Sequence, residues 1–264
     1  MSNRAAELVG GMFARLHELI AEQDISYPEY QAAKQWLIDV GTAGEWPLLL
    51  DVFVESAIEQ QVATGRQGSE GAILGPYYLP DAPVLDPPYE MPRRPDEPGE
   101  ALVMTGRVMS NDGAPLPASM LDIWHADARG VYSGFSDIPA GILRGKLITD
   151  TEGRFELRTI VPAPYTIPHD GPTGRMIAAC GWHPWRPAHL HLLVSADGYE
   201  SLTTQLFIDT SKYLDDDVAS AVKDSLIVHP EPRATVPELG PHLHFDYDFQ
   251  LEPARTPATV GSRT

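Results

Sequence analysis

The chain has 264 residues, 43% of them hydrophobic, and a formal net charge of −18 from 37 acidic and 19 basic side chains. That size and apolar share suit one large domain or two small ones with a packed core; the acidity excludes duplex nucleic acid and anionic membrane surfaces, both of which are bound through clustered Lys and Arg. A single cysteine, Cys180, excludes an intrachain disulfide framework, a cysteine-rich zinc site and a four-cysteine iron–sulfur cluster, so any metal has to be held by His, Tyr or carboxylate.

Arg4, Glu7, Arg15 and Glu18 interrupt the first residues, so no secretory signal is expected there. No run approaches the ~18–20 apolar residues of a membrane span. The expectation is a cytoplasmic protein without membrane insertion.

Residues 1–64 read as a helical segment. Leu8, Met12, Leu16 and Ile20 recur every fourth residue, with Val9 and Phe13 beside them. Ser26-Tyr27-Pro28-Glu29 has the form of a helix start, and the helix that follows presents Ala33, Trp36, Leu37 and Val40 before Gly41 or Gly44 ends it. A third helix is expected from Trp46-Pro47 to about Gln61, with Leu48, Val52 and Ile58 inward. Residues 65–100 are dense in Gly and Pro and read as an ordered, extended connector.

From 101 to 252 the pattern is β, with strands expected at 101–109, 119–126, 142–149, 154–161, 189–195, 202–209 and 243–250. Turn sequences such as Asn111-Asp112-Gly113 and Ala196-Asp197-Gly198 separate several of them, which points to a β-sandwich. One late helix is expected, with Asp215, Asp216 and Asp217 at its N-terminus and Val218, Val222 and Leu226 on its apolar face. Residues 253–264 read as a polar tail.

The most informative stretch is Arg186-Pro187-Ala188-His189-Leu190-His191. Strand side chains alternate faces, so His189 and His191 point the same way and can reach one metal ion. His242-Leu243-His244 repeats the pattern beside Asp246 and Asp248, and reads as a solvent-facing edge strand. With no thiolate available, the first pair needs oxygen partners. Carboxylates are one choice, with Asp122, Asp150 and Asp209 near the β core, and would suit Fe(II). Tyr132 and Tyr165 are the other, each at a strand end beside Gly or Pro. A phenol ionises near pH ~10, and a trivalent cation lowers that sharply.

These residues sit in a longer series of motifs. It comprises Val40-Gly41-Thr42-Ala43-Gly44-Glu45-Trp46-Pro47-Leu48, Leu74-Gly75-Pro76-Tyr77-Tyr78, Asp122-Ile123-Trp124-His125-Ala126 and Gly130-Val131-Tyr132-Ser133. It continues through Ile160-Val161-Pro162-Ala163-Pro164-Tyr165, Gly171-Pro172-Thr173-Gly174, Trp185-Arg186-Pro187-Ala188-His189-Leu190-His191 and Leu202-Thr203-Thr204-Gln205. In this order and spacing the chain resembles the intradiol ring-cleavage dioxygenases of the catechol 1,2-dioxygenase group, over about residues 8–250.

The resemblance implies a mononuclear, non-haem Fe(III) held by Tyr132, Tyr165, His189 and His191, with Tyr165 and His191 axial. It makes Tyr165 a catalytic base as well as a ligand, and Arg186 and Gln205 residues that steady the substrate. It implies O2 insertion into a catechol with cleavage between the hydroxylated carbons to a cis,cis-muconate, the ring lying among Leu48, Asp51, Val52, Ile73, Gly75, Pro76 and Tyr77. The implied fold is mainly β, an antiparallel β-sandwich with an N-terminal helical segment that forms a homodimer and can enclose phospholipid. Catechol, chlorocatechol and hydroxyquinol are all open as substrates, and Asp51 is placed to accept a hydrogen bond from a third ring hydroxyl.

Overall fold

The structure, a computed structural model, describes residues 3–236 and 240–254. Beyond Ala254 the expected tail lies outside the described residues. The chain forms two compact units, one ending at Trp46 and one starting at Pro47.

The first unit holds α1 (Asn3–Glu22) and α2 (Tyr27–Thr42). The α2 start is built as its sequence predicts: Glu29 accepts the Ser26 backbone N–H at 2.8 Å and the Ser26 hydroxyl at 2.5 Å. Leu8, Met12, Leu16 and Phe13 of α1 are exposed, and so is Leu37 of α2, where only Val40 is buried. A two-helix unit has too little surface to bury both stripes.

The expected third helix is two, α3 (Trp46–Phe53) and α4 (Glu55–Ala63). Between them Val54 leaves helical geometry, at φ −122°. Leu48 and Val52 are buried as expected, but Ile58, past the break, is exposed. Past the same break, Glu55 accepts the Leu74 N–H at 2.9 Å and so ties the connector to the helix. The connector is strapped to the sheets by main-chain bonds: Ala72 N–H to Thr203, Leu85 N–H to Lys146 and Met91 N–H to Arg158.

The second unit is mostly sheet. Its strands are β1 (Tyr89–Glu90), β2 (Ala101–Ser110), β3 (Met120–His125), β4 (Arg144–Ile148), β5 (Arg154–Ile160) and β6 (Tyr165–Thr166). After α5 (Pro172–Ala179) come β7 (Trp185–Arg186), β8 (His189–Ser195), β9 (Leu202–Ile208), β10 (Ile227–Val228), β11 (Glu231–Val236), β12 (Gly240–Asp246) and β13 (Phe249–Leu251). One sheet has the order β1-β5-β2-β12-β11 with β13 also on β2, a second has β10-β9-β8-β3-β4, and β6 pairs with β7. The sheets are mixed and not purely antiparallel: β1–β5, β2–β12, β2–β13 and β9–β10 run parallel. Those strands reach their partners by long connections, which free them from the antiparallel geometry that a tight hairpin imposes.

Three further expectations are corrected. The run at 243–250 divides into β12 and β13, because the chain kinks at Tyr247 and Asp248 while staying on β2. Gly106 permits this, since a Cβ there would lie 1.9 Å from the Tyr247 carbonyl oxygen. His242-Leu243-His244 is not on an edge: β12 lies between β2 and β11, with His242 buried and His244 Nε2 2.9 Å from the Thr105 hydroxyl. The late helix is reduced to one 3-10 turn at Asp224–Leu226. Asp217 accepts the N–H groups of Ala219 and Ala221, both at 3.2 Å, and this local bonding turns the chain in place of a helix.

Both large sheets feed one buried apolar cluster, with Leu102, Met104 and Leu157 from one and Ile123, Leu190, Leu192 and Leu206 from the other. His125 at the end of β3 joins them: its Nε2 lies 2.6 Å from the Thr159 hydroxyl on β5, and its Nδ1 2.8 Å from the Ala126 carbonyl oxygen. Burial pushes His125 down to about 4. Below its ordinary value the unfolded chain takes up a proton that the folded chain refuses, so stability is expected to fall as pH drops from about 6.5 toward 4. Urea midpoints measured against pH check this, with a shallower acid slope expected for His125→Gln.

Candidate metal centre

The centre begins with the alternation of β8. Leu190 and Leu192 face the shared core, which leaves His189 and His191 on the opposite face. Cross-strand register fills the row beside them. His191 is paired with Trp124 on β3 and with Gln205 on β9, and all three are buried. The Trp124 ring stacks on the His191 imidazole at 4.8 Å and 8°. Gln205 Nε2 donates to the Ile73 carbonyl at 2.8 Å and stands 3.2 Å from His191 Nδ1.

The β6–β7 ribbon supplies a second group, since Tyr165 is paired with Arg186. Tyr132 comes from a loop organised by Asp127, whose carboxylate accepts the N–H groups of Arg129 and Val131, both at 2.9 Å. These three elements converge. His189 and His191 Nε2 are 3.0 Å apart, and the Tyr132 hydroxyl is 3.1 Å from His191 Nε2. The Tyr132 and Tyr165 rings meet edge to face at 5.0 Å. His189 Nδ1 lies 2.7 Å from the Pro187 carbonyl, which takes the ring proton on that side and leaves the Nε2 lone pair facing inward.

Burial dominates the electrostatics. It raises both phenols, Tyr132 well above its ordinary value, and lowers both imidazoles, His189 to about 3. Burial also opposes charge on Arg186, but Asp217 and the phenols beside it more than offset this and hold the guanidinium charged. Asp217 feels the same penalty from burial, and Arg186 overrides it to lower the carboxyl. The centre therefore has four neutral donors, two oxygens and two nitrogens, next to an internally balanced ion pair. That donor set suits a hard cation, which favours the ionised phenols that burial alone disfavours.

The carboxylates considered as ligands bond elsewhere. Asp122 accepts the Tyr78 hydroxyl, Asp150 accepts the Glu152 and Arg154 N–H groups, and Asp209 pairs with His229. Among the described residues no group of three or more His, Cys, Asp or Glu could hold a metal.

Residues 73–253 match the family model described as Dioxygenase, and residues 2–69 match Catechol dioxygenase N terminus. Chlorocatechol 1,2-dioxygenase of Pseudomonas putida is 39% identical over 86% of this chain and 87% of its own length. The enzyme of the same name from Cupriavidus pinatubonensis is 38% identical over 98% of both chains. The crystal structure of 3-chlorocatechol 1,2-dioxygenase from Rhodococcus opacus 1CP superposes with a TM-score of 0.88 at 47% identity, covering 96% of this chain and 100% of that one. Relatives named for catechol and for hydroxyquinol also match.

The chain belongs to the intradiol catechol 1,2-dioxygenase group.

It is therefore an intradiol ring-cleavage enzyme, and no helix among the described residues is long and apolar enough to cross a membrane. In this dioxygenase five of the seven residues expected around the ring divide into two sets. Tyr77 stacks on Tyr132 at 4.4 Å and 13°, Gly75 lies against His191, and the Ile73 carbonyl holds Gln205. Leu48 and Val52 share the apolar cluster with Tyr132 and Tyr165, and Val52 also lines a cavity of about 650 Å³ with Phe53, Trp182 and Val218. Pro76 is half-buried beside Tyr77, and Asp51 is half-buried with its negative charge near Glu55. Three contributors were not singled out from the sequence as parts of the site. Asp217 was hidden in an acidic run, Trp124 becomes apparent only once β3 is registered against β8, and Arg144 braces Tyr77 and Ser133 from a strand of otherwise ordinary pattern.

Gly75 sits at φ +73°, where its hypothetical Cβ would be 3.4 Å from His191 Cε1. Gly75→Ala is expected to destabilise the fold by about 1–2 kcal/mol through left-handed backbone strain, read as a lower urea midpoint.

Proposed function

We propose that Tyr132, Tyr165, His189 and His191 hold one ferric ion and that the enzyme opens catechols at this site, between the two oxygenated carbons, to cis,cis-muconates. The supporting observation is the convergence of two phenols and two imidazoles in a buried centre with no carboxylate among the donors. Fe(III) dependence is general in the family. When bound, the ion supplies a place where both catechol oxygens are held deprotonated so that the electron-rich ring reacts with O2.

The chain's own residues handle the protons and charge. Tyr165, ionised while it holds the ion, would take one catechol proton at Oη when the substrate replaces it, the other proton leaving to solvent, and burial, which favours the neutral phenol, makes it hold that proton firmly. Arg186, paired with Tyr165 across the β6–β7 ribbon and facing His189, offsets negative charge that builds on the ring. Gln205 anchors the loop at Ile73 and steadies Arg186 from the other side. Tyr77 forms a wall of the ring pocket over Tyr132, with Leu48, Asp51, Val52, Ile73, Gly75 and Pro76 completing it.

The preferred substrate within this class is a chlorocatechol. The 47% identity to a 3-chlorocatechol enzyme supports this choice, with unsubstituted catechol and hydroxyquinol as the alternatives. The two large sheets act as the layers of a β-sandwich catalytic domain over residues 101–252, with 65–100 lining the pocket. Residues 1–64 form a homodimer in the cytoplasm through the exposed Leu8, Met12 and Leu16 stripe, with phospholipid between subunits.

Oxygen uptake against a panel of catechols, with product spectra, tests the reaction and ranks its substrates. Iron-loaded protein is expected to be wine-red from phenolate-to-iron charge transfer. Tyr132→Phe and Tyr165→Phe should each weaken that colour and lower turnover by about a hundredfold or more. Metal, colour and turnover retained in both variants would remove the proposed ligand set.

A further inference from the structure

Arg186 is the only cationic side chain the proposed reaction uses, so what fixes its orientation matters. A guanidinium has five N–H donors in a rigid fork. Nε donates to Asp217 Oδ1 at 3.0 Å and Nη2 to Asp217 Oδ2 at 2.9 Å, a two-point clamp on one edge. Nη2 also donates to Gln205 Oε1 at 2.9 Å. The Nη1 edge is what remains, and it faces His189 Nε2 at 3.3 Å. The side chains of Arg186 and Asp217 are 2% and 1% exposed, so water does not share this work. Asp217 is itself fixed, because the N–H groups of Ala219 and Ala221 close on its two oxygens.

We propose that Asp217 is a positioning residue of the ring-cleavage reaction. It holds the outer edge of Arg186 so that the inner edge presents its donors to Tyr165 and to charge developing on the substrate. Gln205 alone makes a single contact and cannot set the plane of the guanidinium; the paired oxygens of a carboxylate can. This inference rests on the metal-centre reading above. A pair that only stabilised the fold would alter unfolding and leave turnover per iron-loaded molecule unchanged.

Asp217→Asn keeps the shape of the side chain and removes its charge. Turnover per bound iron is expected to fall about a hundredfold, with KM for the best catechol changing by no more than about threefold. The visible band of the resting enzyme should move to longer wavelength, because the Tyr165 oxygen loses a donor that stabilised it. Asp215→Asn, an exposed neighbour with the same loss of charge, should leave rate and band unchanged. In an Arg186→Gln background, adding Asp217→Asn should lower kcat by less than about twofold, since the group it positions is gone. That background removes the buried charge as well, so the comparison stands even where Asp217→Asn alone does not fold. A parental rate and band in Asp217→Asn, or an undiminished loss of kcat in the Arg186→Gln background, overturns the proposal. A parent with neither colour nor oxygen uptake overturns the metal-centre reading, whereas an active, coloured parent with an unaffected Asp217→Asn overturns only the role of Asp217.

Discussion

The two-sidedness of β8 is the constraint from which the centre follows. Each residue of a strand commits its neighbours to the opposite face, so a strand in the middle of a sheet must serve two environments. On β8 the apolar set Leu190, Leu192 and Val194 goes to the core and the imidazoles of His189 and His191 go to the other face. A slip of one residue would exchange the two sets and lose both the core and the centre. The flanking strands lock the register, because Trp124 and Gln205 lie directly across from His191 and act on its ring. The packing that stabilises the sheet therefore also sets the geometry of the site.

Burial gives the centre its chemical character. Removing water from two phenols and two imidazoles keeps all four neutral, which makes a set of lone pairs waiting for a cation. The same burial makes Arg186 costly: a buried cation stripped of its partner destabilises a fold by about 3–5 kcal/mol. Asp217 answers that cost from a loop far along the chain, and Gln205 from the strand next to β8. One guanidinium thus joins β7, β9 and the 217–221 turn, so charge balance and chain path are settled together.

How much of this is legible in sequence depends on the range of the interaction. Alternation in His189-Leu190-His191 is local, and so is the Ser26 to Glu29 start of α2; both read correctly. The strands of the β region read well because their apolar periodicity and turn residues are also local. The split at Val54 and the kink at Tyr247 fail to show, since each depends on what the chain packs against: the connector in one case, Gly106 in the other. Asp217 is the clearest case. In an Asp-Asp-Asp run it looks like a solvated helix start, and only its distant partner Arg186 distinguishes it from Asp215 and Asp216. The choice of tyrosines over carboxylates came from the family resemblance; residue types alone left both open.

The surface charge and the charge at the centre answer different needs. A net −18 spread over the surface favours solubility and repels anions, while a neutral diphenol needs no basic funnel to reach the site. Inside, the charge of Arg186 is matched by Asp217 at contact distance, so beyond the first few ångströms the pair has little net field. Its influence is then short in range and directional, acting through the N–H groups that face Tyr165 and His189. For the proposed reaction this is the useful arrangement. Charge forming on the ring meets oriented donors, yet a dianionic muconate finds no uncompensated cation in Arg186 and an acidic exterior beyond it.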